Sequence, residues 1–179
     1  MAKRKKKKKL PVVPIMTPDQ ERFMALDGLV QWTWAAITQA HRLSNAKLPM
    51  RGTFEARRLA IAARRTEADL MVAAAWKVLE FHKWVAALGL CGAVDFSEIG
   101  KFDTDDTRDL RNMREPVVDY FQGGGKNQDR WWIETPKYKG DASGIAGSVI
   151  GGRLDYKAFA DAAKRLLPQL LKGPLPKSR

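Results

Sequence analysis

The spacing of apolar side chains predicts a first helix from Thr17 to about Ser44. Thr17 is placed to cap this helix, Pro18 suits its first turn, and Gln20 completes a capping box. Apolar and aromatic side chains then recur every three or four positions, which is the repeat of one helical face. The face that we expect to be buried consists of Phe23, Leu26, Val30, Trp34, Ile37 and His41.

A second, longer helix is predicted from about Phe54 to Leu88, with Thr53 as its cap. The second half of this helix is apolar almost all round, which indicates burial. Gly89 is placed to end the helix in the left-handed conformation. The first half is amphipathic and carries four arginines among alanines: Arg57, Arg58, Arg64 and Arg65.

The rest of the chain predicts a third helix, a hairpin and a last helix. Acidic caps begin at Asp103, and helical spacing continues through Pro116, so we expect this helix to kink at the proline and to end at Gly123. Strand-forming residues at 130–135 and 147–150 predict a small β-hairpin. The last segment, 155–171, has a clear amphipathic pattern. The predicted fold is mainly α, a bundle of about four helices with a small β-hairpin before the last helix.

Positive charge is concentrated at the two ends of the chain. The formal net charge is +12, and the N-terminal segment supplies seven unopposed positive charges: Lys3, Arg4, Lys5, Lys6, Lys7, Lys8 and Lys9. Lys172, Lys177 and Arg179 supply three more, and subtracting seven and three from +12 leaves +2 for residues 10–171. We predict a disordered basic tail at 1–16, a single helical domain at 17–171 and a basic C-terminal tail at 172–179.

The lysine-rich tail is a candidate nucleic-acid-binding segment. Unopposed charges of one sign attract phosphate groups whatever the sequence, and salt weakens that attraction. The alternative is a solvated tail that only improves solubility.

The composition disfavours several other classes of protein. The single cysteine, Cys91, excludes an internal disulfide and is expected to be a buried, unreactive thiol of a cytoplasmic protein. The apolar stretch after the lysines is short and broken by prolines, so no secretory signal is predicted. The apolar window 70–94 contains charged residues, including Lys77 and Glu80, and indicates a buried helix rather than a membrane span. The acidic residues of 103–119 lie where a helix dipole favours them, and no metal or cofactor is expected.

Two short motifs have both a functional and a structural interpretation. The loop Gly123–Lys126 resembles a phosphate-binding loop, but Tyr120 and Asn127 occupy places that such a loop gives to Gly and to Ser or Thr, which favours a simple connector. Trp131 and Trp132 either stack on nucleotides or pack one ring in the core and the other over a helix. The packing interpretation is favoured.

The segment Asp109–Tyr120 resembles the signature of HEPN domains, which are α-helical bundles that include many RNA-cleaving toxins and defence nucleases. That signature has an arginine, a polar residue directly after it, and a histidine four to six positions beyond the arginine. Arg111 and Asn112 match the first two positions, and Glu115 matches the acid often found before the histidine. Pro116 stands where the histidine is expected.

The resemblance implies a metal-independent ribonuclease that acts at a dimer interface, with the arginine holding a phosphate and the histidine moving protons. Proline has no ionisable group, so we predict a HEPN-like protein without catalytic residues, which binds RNA or a protein partner in a defence or toxin–antitoxin setting. Arg111 and Asn112 are the candidate binding residues in the bundle. The alternative for Arg111 is a simple pair with Glu115 one turn away.

Two further hypotheses are open at this stage. The first is an active, metal-independent ribonuclease that uses another acid–base group, such as His82 or Tyr120. The second is a structural or assembly protein whose basic arm anchors it to nucleic acid. The expected partners are nucleic acid, a nucleotide-handling protein or a second copy of the chain as a homodimer, and no membrane is expected.

Overall fold

Six α-helices and two small β-sheets make up the described part of the computed structural model, which covers residues 16–48, 51–136 and 138–172. The helices are α1 (Pro18–Asn45), α2 (Phe54–Ala87), α3 (Ser97–Gly100), α4 (Asp105–Arg114), α5 (Val117–Phe121) and α6 (Tyr156–Lys172). A 3-10 helix (Gln128–Arg130) and five strands separate α5 from α6: β1 (Trp132–Thr135), β2 (Tyr138–Asp141), β3 (Ile145–Ala146), β4 (Val149–Ile150) and β5 (Leu154–Asp155). The predicted mainly α fold with a small hairpin before the last helix is confirmed.

The ends of the two long helices follow local signals in the sequence. The Thr17 N–H donates to Gln20 Oε1 at 2.9 Å, and the Gln20 N–H donates to Thr17 Oγ1 at 3.3 Å, which is the predicted capping box. Thr53 Oγ1 accepts the Ala56 N–H at the start of α2. After α2, Gly89 takes a φ of 65°, as predicted for a residue that ends a helix.

α1 and α2 pack antiparallel and form the frame of the bundle. Near one end of the pair, Trp84 Nε1 donates to Glu21 Oε1 at 3.2 Å, and near the other Gln39 Nε2 donates to the Glu67 carbonyl at 3.1 Å. Gly28 lies between these contacts, where an added Cβ would overlap the Phe81 ring. The Phe81 ring therefore packs directly against the backbone of α1, because this position has no side chain.

The buried face of α1 differs from the predicted one. Trp34 is 62% exposed, and Phe23 and His41 are also exposed, whereas Val30 and Ile37 are half-buried. The buried face is rotated towards small residues, which let α2 and α6 pack close to α1. Its members are Ala25, Leu26, Gly28, Leu29, Thr33, Ala36, Gln39, Ala40 and Leu43.

Pro116 ends a helix instead of kinking it. α4 stops at Arg114, and α5 begins at Val117 with Pro116 as its N-cap at φ −97° and ψ 47°. A proline has no N–H to donate to the preceding turn, and its ring crowds that turn. The prediction of one kinked helix was therefore wrong.

The β region consists of a hairpin and a three-stranded sheet. β1 pairs antiparallel with β2, with Trp132 opposite Asp141 and Thr135 opposite Tyr138. The second sheet has the order β3-β4-β5, with both pairs antiparallel. The strand signal at 147–150 thus corresponds to a strand of the second sheet and not to the partner of β1.

The core lies where α1, α2, α4 and α6 meet. Its largest fully buried side chains include Leu29, Met71, Leu110 and Phe159, and the Phe102 ring packs edge-on against Phe159 at 5.0 Å. In the part of the chain that the structure describes, no helix combines the length and apolar character that a membrane crossing needs.

Candidate nucleic-acid interface

The side chains of the HEPN-like motif lie at the surface on α4, and the charge of its arginine is balanced. Arg111 Nη2 lies 3.0 Å from Glu115 Oε2, and Arg111 Nη1 donates to Asn112 Oδ1 at 3.0 Å. The Arg111 side chain is 40% exposed. The alternative of a pair with Glu115 is therefore what the structure forms.

A cavity of about 470 Å³ lies beside this motif and joins it to the glycine-rich loop. Asn112 and Pro116 line one side, and Gly124 to Asn127 line the other. Two carboxylates, Asp109 and Asp119, also line it, against the single cation Lys126, and Arg111 does not. Because carboxylates repel phosphate, this cavity is a poor phosphate site. The loop follows helix α5 rather than a strand, which agrees with the connector interpretation.

The two alternative acid–base groups, Tyr120 and His82, both stack on an aromatic ring. The Tyr120 hydroxyl donates to the Lys126 carbonyl, and its ring stacks on Trp131 at 4.9 Å. Burial, with a smaller effect of Asp109, raises the pKa of Tyr120, which disfavours the phenolate needed for a base. His82 stacks on Phe96, its Nδ1 has no hydrogen-bond partner among the described residues, and burial lowers its pKa.

The arginines between α4 and the β region have structural partners. Arg114, only 4% exposed, donates to Asp69 on α2 and to the Ala142 carbonyl at 2.8 Å. Arg130 pairs with Asp106 at 2.9 Å and with Asp109. Trp131 is buried and Trp132 is exposed, which agrees in part with the packing interpretation of this pair. The guanidinium groups of Arg114 and Arg130 are engaged by their partners and are not available to a ligand. Among the described residues no group of His, Cys, Asp and Glu is arranged to hold a metal ion.

Positive charge that no described carboxylate balances is concentrated where α1 ends and α2 begins. Residues 42–67 hold seven basic side chains and only two acidic ones, Glu55 and Glu67. We call six of these basic residues the basic end, leaving out Arg57, which has a contact of its own: Arg42, Lys47, Arg51, Arg58, Arg64 and Arg65. Arg58 lies over the Phe54 ring at 5.7 Å. Within residues 16–48, 51–136 and 138–172, no carboxylate forms an ion pair with any of these six residues.

Many surface cations elsewhere in the bundle do have a carboxylate partner. These ion pairs include Lys77–Glu80 at 2.6 Å, Lys83–Asp103 at 2.8 Å, Arg108–Asp105 at 2.7 Å, Lys139–Glu134 at 2.8 Å and Lys164–Asp161 at 2.9 Å. Residues 10–171 are therefore nearly neutral as a whole, but their charge is distributed unevenly over the surface. An external anion finds uncompensated charge at the basic end rather than around α4.

A smaller cavity of about 270 Å³ opens within the basic end. Arg64 and Arg65 line it together with Ser143, and its apolar lining consists of Leu48, Ile61 and Ile145. The Ser143 hydroxyl already donates to Asp141 Oδ1 at 2.6 Å. The two arginines are thus the lining groups with donors to offer an anion.

Comparisons with family models, with curated proteins and with solved structures find no match for this chain. The HEPN resemblance therefore depends on the motif at 109–120, and any site must be argued from geometry.

Some of the site residues predicted from the sequence lie within the described part of the structure, and others lie outside it. Lys3, Arg4 and Lys5 to Lys9 lie outside the described residues. Arg111 and Asn112 bond to each other on α4, and Arg111 also pairs with Glu115. The basic end was not predicted as a site, although its signal was present in the arginines placed among alanines at 57–65. Their lack of carboxylate partners became visible only in the fold.

Proposed function

We propose that this protein binds RNA through the basic end and does not cleave it. The observation that carries the proposal is the group of arginines and lysines whose charge no described carboxylate balances. Phosphate oxygens accept charge-assisted hydrogen bonds from guanidinium groups, and such binding needs no specific sequence. The lysine-rich tail adds charge of the same sign.

The non-catalytic half of the proposal follows from the chemistry around the motif. Proton transfer near neutral pH needs an ionisable group, and Pro116 has none. Tyr120 is held by a hydrogen bond to a carbonyl, and its raised pKa disfavours ionisation. Membership of a HEPN-like family, with a defence or toxin–antitoxin role, is a proposal that depends on residues 109–120 alone.

The test compares two triple variants of the full chain for binding to a fluorescein-labelled single-stranded RNA. The first, R58Q/R64Q/R65Q, removes three charges of the basic end. The second, K77Q/K101Q/K139Q, is the matched control, because it removes the same formal charge from cations that each have a carboxylate partner and lie outside the basic end. If three phosphate contacts are lost, affinity at 0.1 M salt falls by about a hundredfold in the first variant. The control changes little.

Equal losses in the two variants would show that total charge, and not the basic end, governs binding. Absence of RNA binding by the unmodified protein at low salt would overturn the proposal entirely. Incubation with RNA in the presence of a chelator tests the ribonuclease alternative: the RNA is expected to stay intact, whereas cleavage that Arg111→Ala abolishes would favour that alternative. A mass in solution well above 20.1 kDa would favour the assembly alternative.

A further inference from the structure

Trp34 is an exposed aromatic residue that the packing of the bundle does not explain. It lies in the middle of α1 on the sequence-predicted core face, yet it is 62% exposed. Large aromatic side chains usually contribute most when buried, because they remove a large apolar area from water. The exposed ring lines a groove of about 460 Å³ between α1 and α6.

The groove has an apolar floor and a cationic rim. Ile37, Ala40 and Ala160 form the floor, and His41 is exposed on the same helix as Trp34. His41 follows Trp34 by seven residues, so the two residues lie about 10 Å apart along the axis of α1.

Two lysines of α6 lie on the rim, and only one of them is paired. Lys164 pairs at 2.9 Å with Asp161, a carboxylate that also lines the groove. Lys157 has no ion pair with any carboxylate that the structure describes, so the rim carries one uncompensated positive charge.

This combination fits an unpaired nucleobase and its phosphate. Every base has a π-face that stacks on an aromatic ring, and a neighbouring cation binds the backbone. Bases inside a duplex are already stacked and paired, so the groove selects a single strand. A predominantly apolar protein segment would gain nothing from the uncompensated lysine.

The groove is also adjacent to the basic end. Arg42 follows Trp34 by eight residues, which is about 12 Å along α1. Ser44 lines the groove and lies between Arg42 and Lys47 in the chain. A phosphate bound by Arg42 would thus lie within about 12 Å of Trp34 along the axis of α1.

We propose that the groove takes an unpaired base of single-stranded RNA, with Trp34 stacking on the base and Lys157 contacting the adjoining phosphate. This inference rests on the proposed RNA binding and adds to it a preference for single strands.

The experiment measures the affinity of the full chain for a single-stranded oligouridine RNA and for a duplex RNA. Trp34→Ala is expected to weaken binding of the single strand by about 5- to 150-fold, which is the usual loss for one stacked base, and to leave duplex binding unchanged. Trp34→Phe retains a ring and is expected to recover most of the loss. Trp132→Ala is the matched control, because Trp132 is 55% exposed but lies on β1, away from the groove. It should change affinity less than twofold.

The outcomes separate the two proposals. If the unmodified chain binds RNA and Trp34→Ala behaves like Trp132→Ala, the base site is wrong and the basic end stands. If Trp34→Ala weakens single-strand and duplex binding equally, stacking on an unpaired base is excluded. If it instead changes the mass of the protein in solution, the groove is a protein contact and the inference fails. If the unmodified chain binds no RNA at low salt, both proposals fail.

Discussion

The salt dependence of RNA binding provides a quantitative test of the basic end. Each phosphate that a cation neutralises on a single strand contributes about −0.7 to the slope of log affinity against log salt concentration. The six residues of the basic end have no ion pair with a described carboxylate: Arg42, Lys47, Arg51, Arg58, Arg64 and Arg65. If each contacts one phosphate, the basic end supplies a slope of about −4, and raising salt from about 50 to 200 mM costs about 300-fold in affinity.

The double variant R64Q/R65Q isolates part of this slope. It removes the two guanidinium groups that line the 270 Å³ cavity and should make the slope less negative by about 1.4, two contacts at about 0.7 each. Fluorescence anisotropy titrations at several sodium chloride concentrations give the slope directly. The difference in slope between R64Q/R65Q and the unmodified protein is the quantity to compare, because any contribution of the lysine-rich tail is common to both proteins.

Two results would refute this reasoning. An unchanged slope in R64Q/R65Q would show that these arginines contact no phosphate. A chain without residues 1–9 that lost all salt dependence would assign binding to the tail alone. The control K101Q/K139Q, whose lysines pair with Glu98 and Glu134, should leave the slope close to that of the unmodified protein.

Three further predictions concern stability and are checked by urea unfolding. Gly28→Ala gains about 1 kcal/mol of helix propensity but loses about 1–3 kcal/mol to overlap with the Phe81 ring. The expected net loss in the free energy of unfolding is about 1 kcal/mol. In a Phe81→Leu background the same substitution should instead stabilise the protein. Burial lowers the pKa of His82, against a smaller raising effect of Asp103. As the pH drops, the unfolded chain therefore takes up the proton first, and the free energy of unfolding falls below a pH of about 6.5. His82→Phe should remove that part of the pH dependence. Arg114→Met should cost about 1–3 kcal/mol, because a buried carbonyl loses its donor, and a neutral result would contradict the hydrogen bond.

Features set by neighbouring residues were predictable, and features set by distant contacts were not. The capping box at Thr17 and the left-handed Gly89 depend on a few residues in sequence, and both formed as predicted. The buried face of α1 depends on which helices pack against it. Apolar periodicity therefore assigned Trp34 to the core, whereas the small residues beside it provide the close contact.

In the candidate site, too, the features set by neighbouring residues were predictable and those set by the fold were not. The sequence displays the arginines of α2, but their lack of carboxylate partners is a property of the folded surface. For Arg111, local spacing did predict the pair with Glu115, because residues four apart on a helix are neighbours.

The buried guanidinium groups have a consequence for how the molecule opens. The Arg153 side chain is 3% exposed and donates to the carbonyls of Gly151 and Arg130, while the Arg114 side chain reaches from α4 to the Ala142 carbonyl. Strands of two to four residues are too short to persist alone in water. Amide protons of the two sheets should therefore exchange with solvent only when the α4 contacts also break, which makes sheet and helix a single cooperative unit.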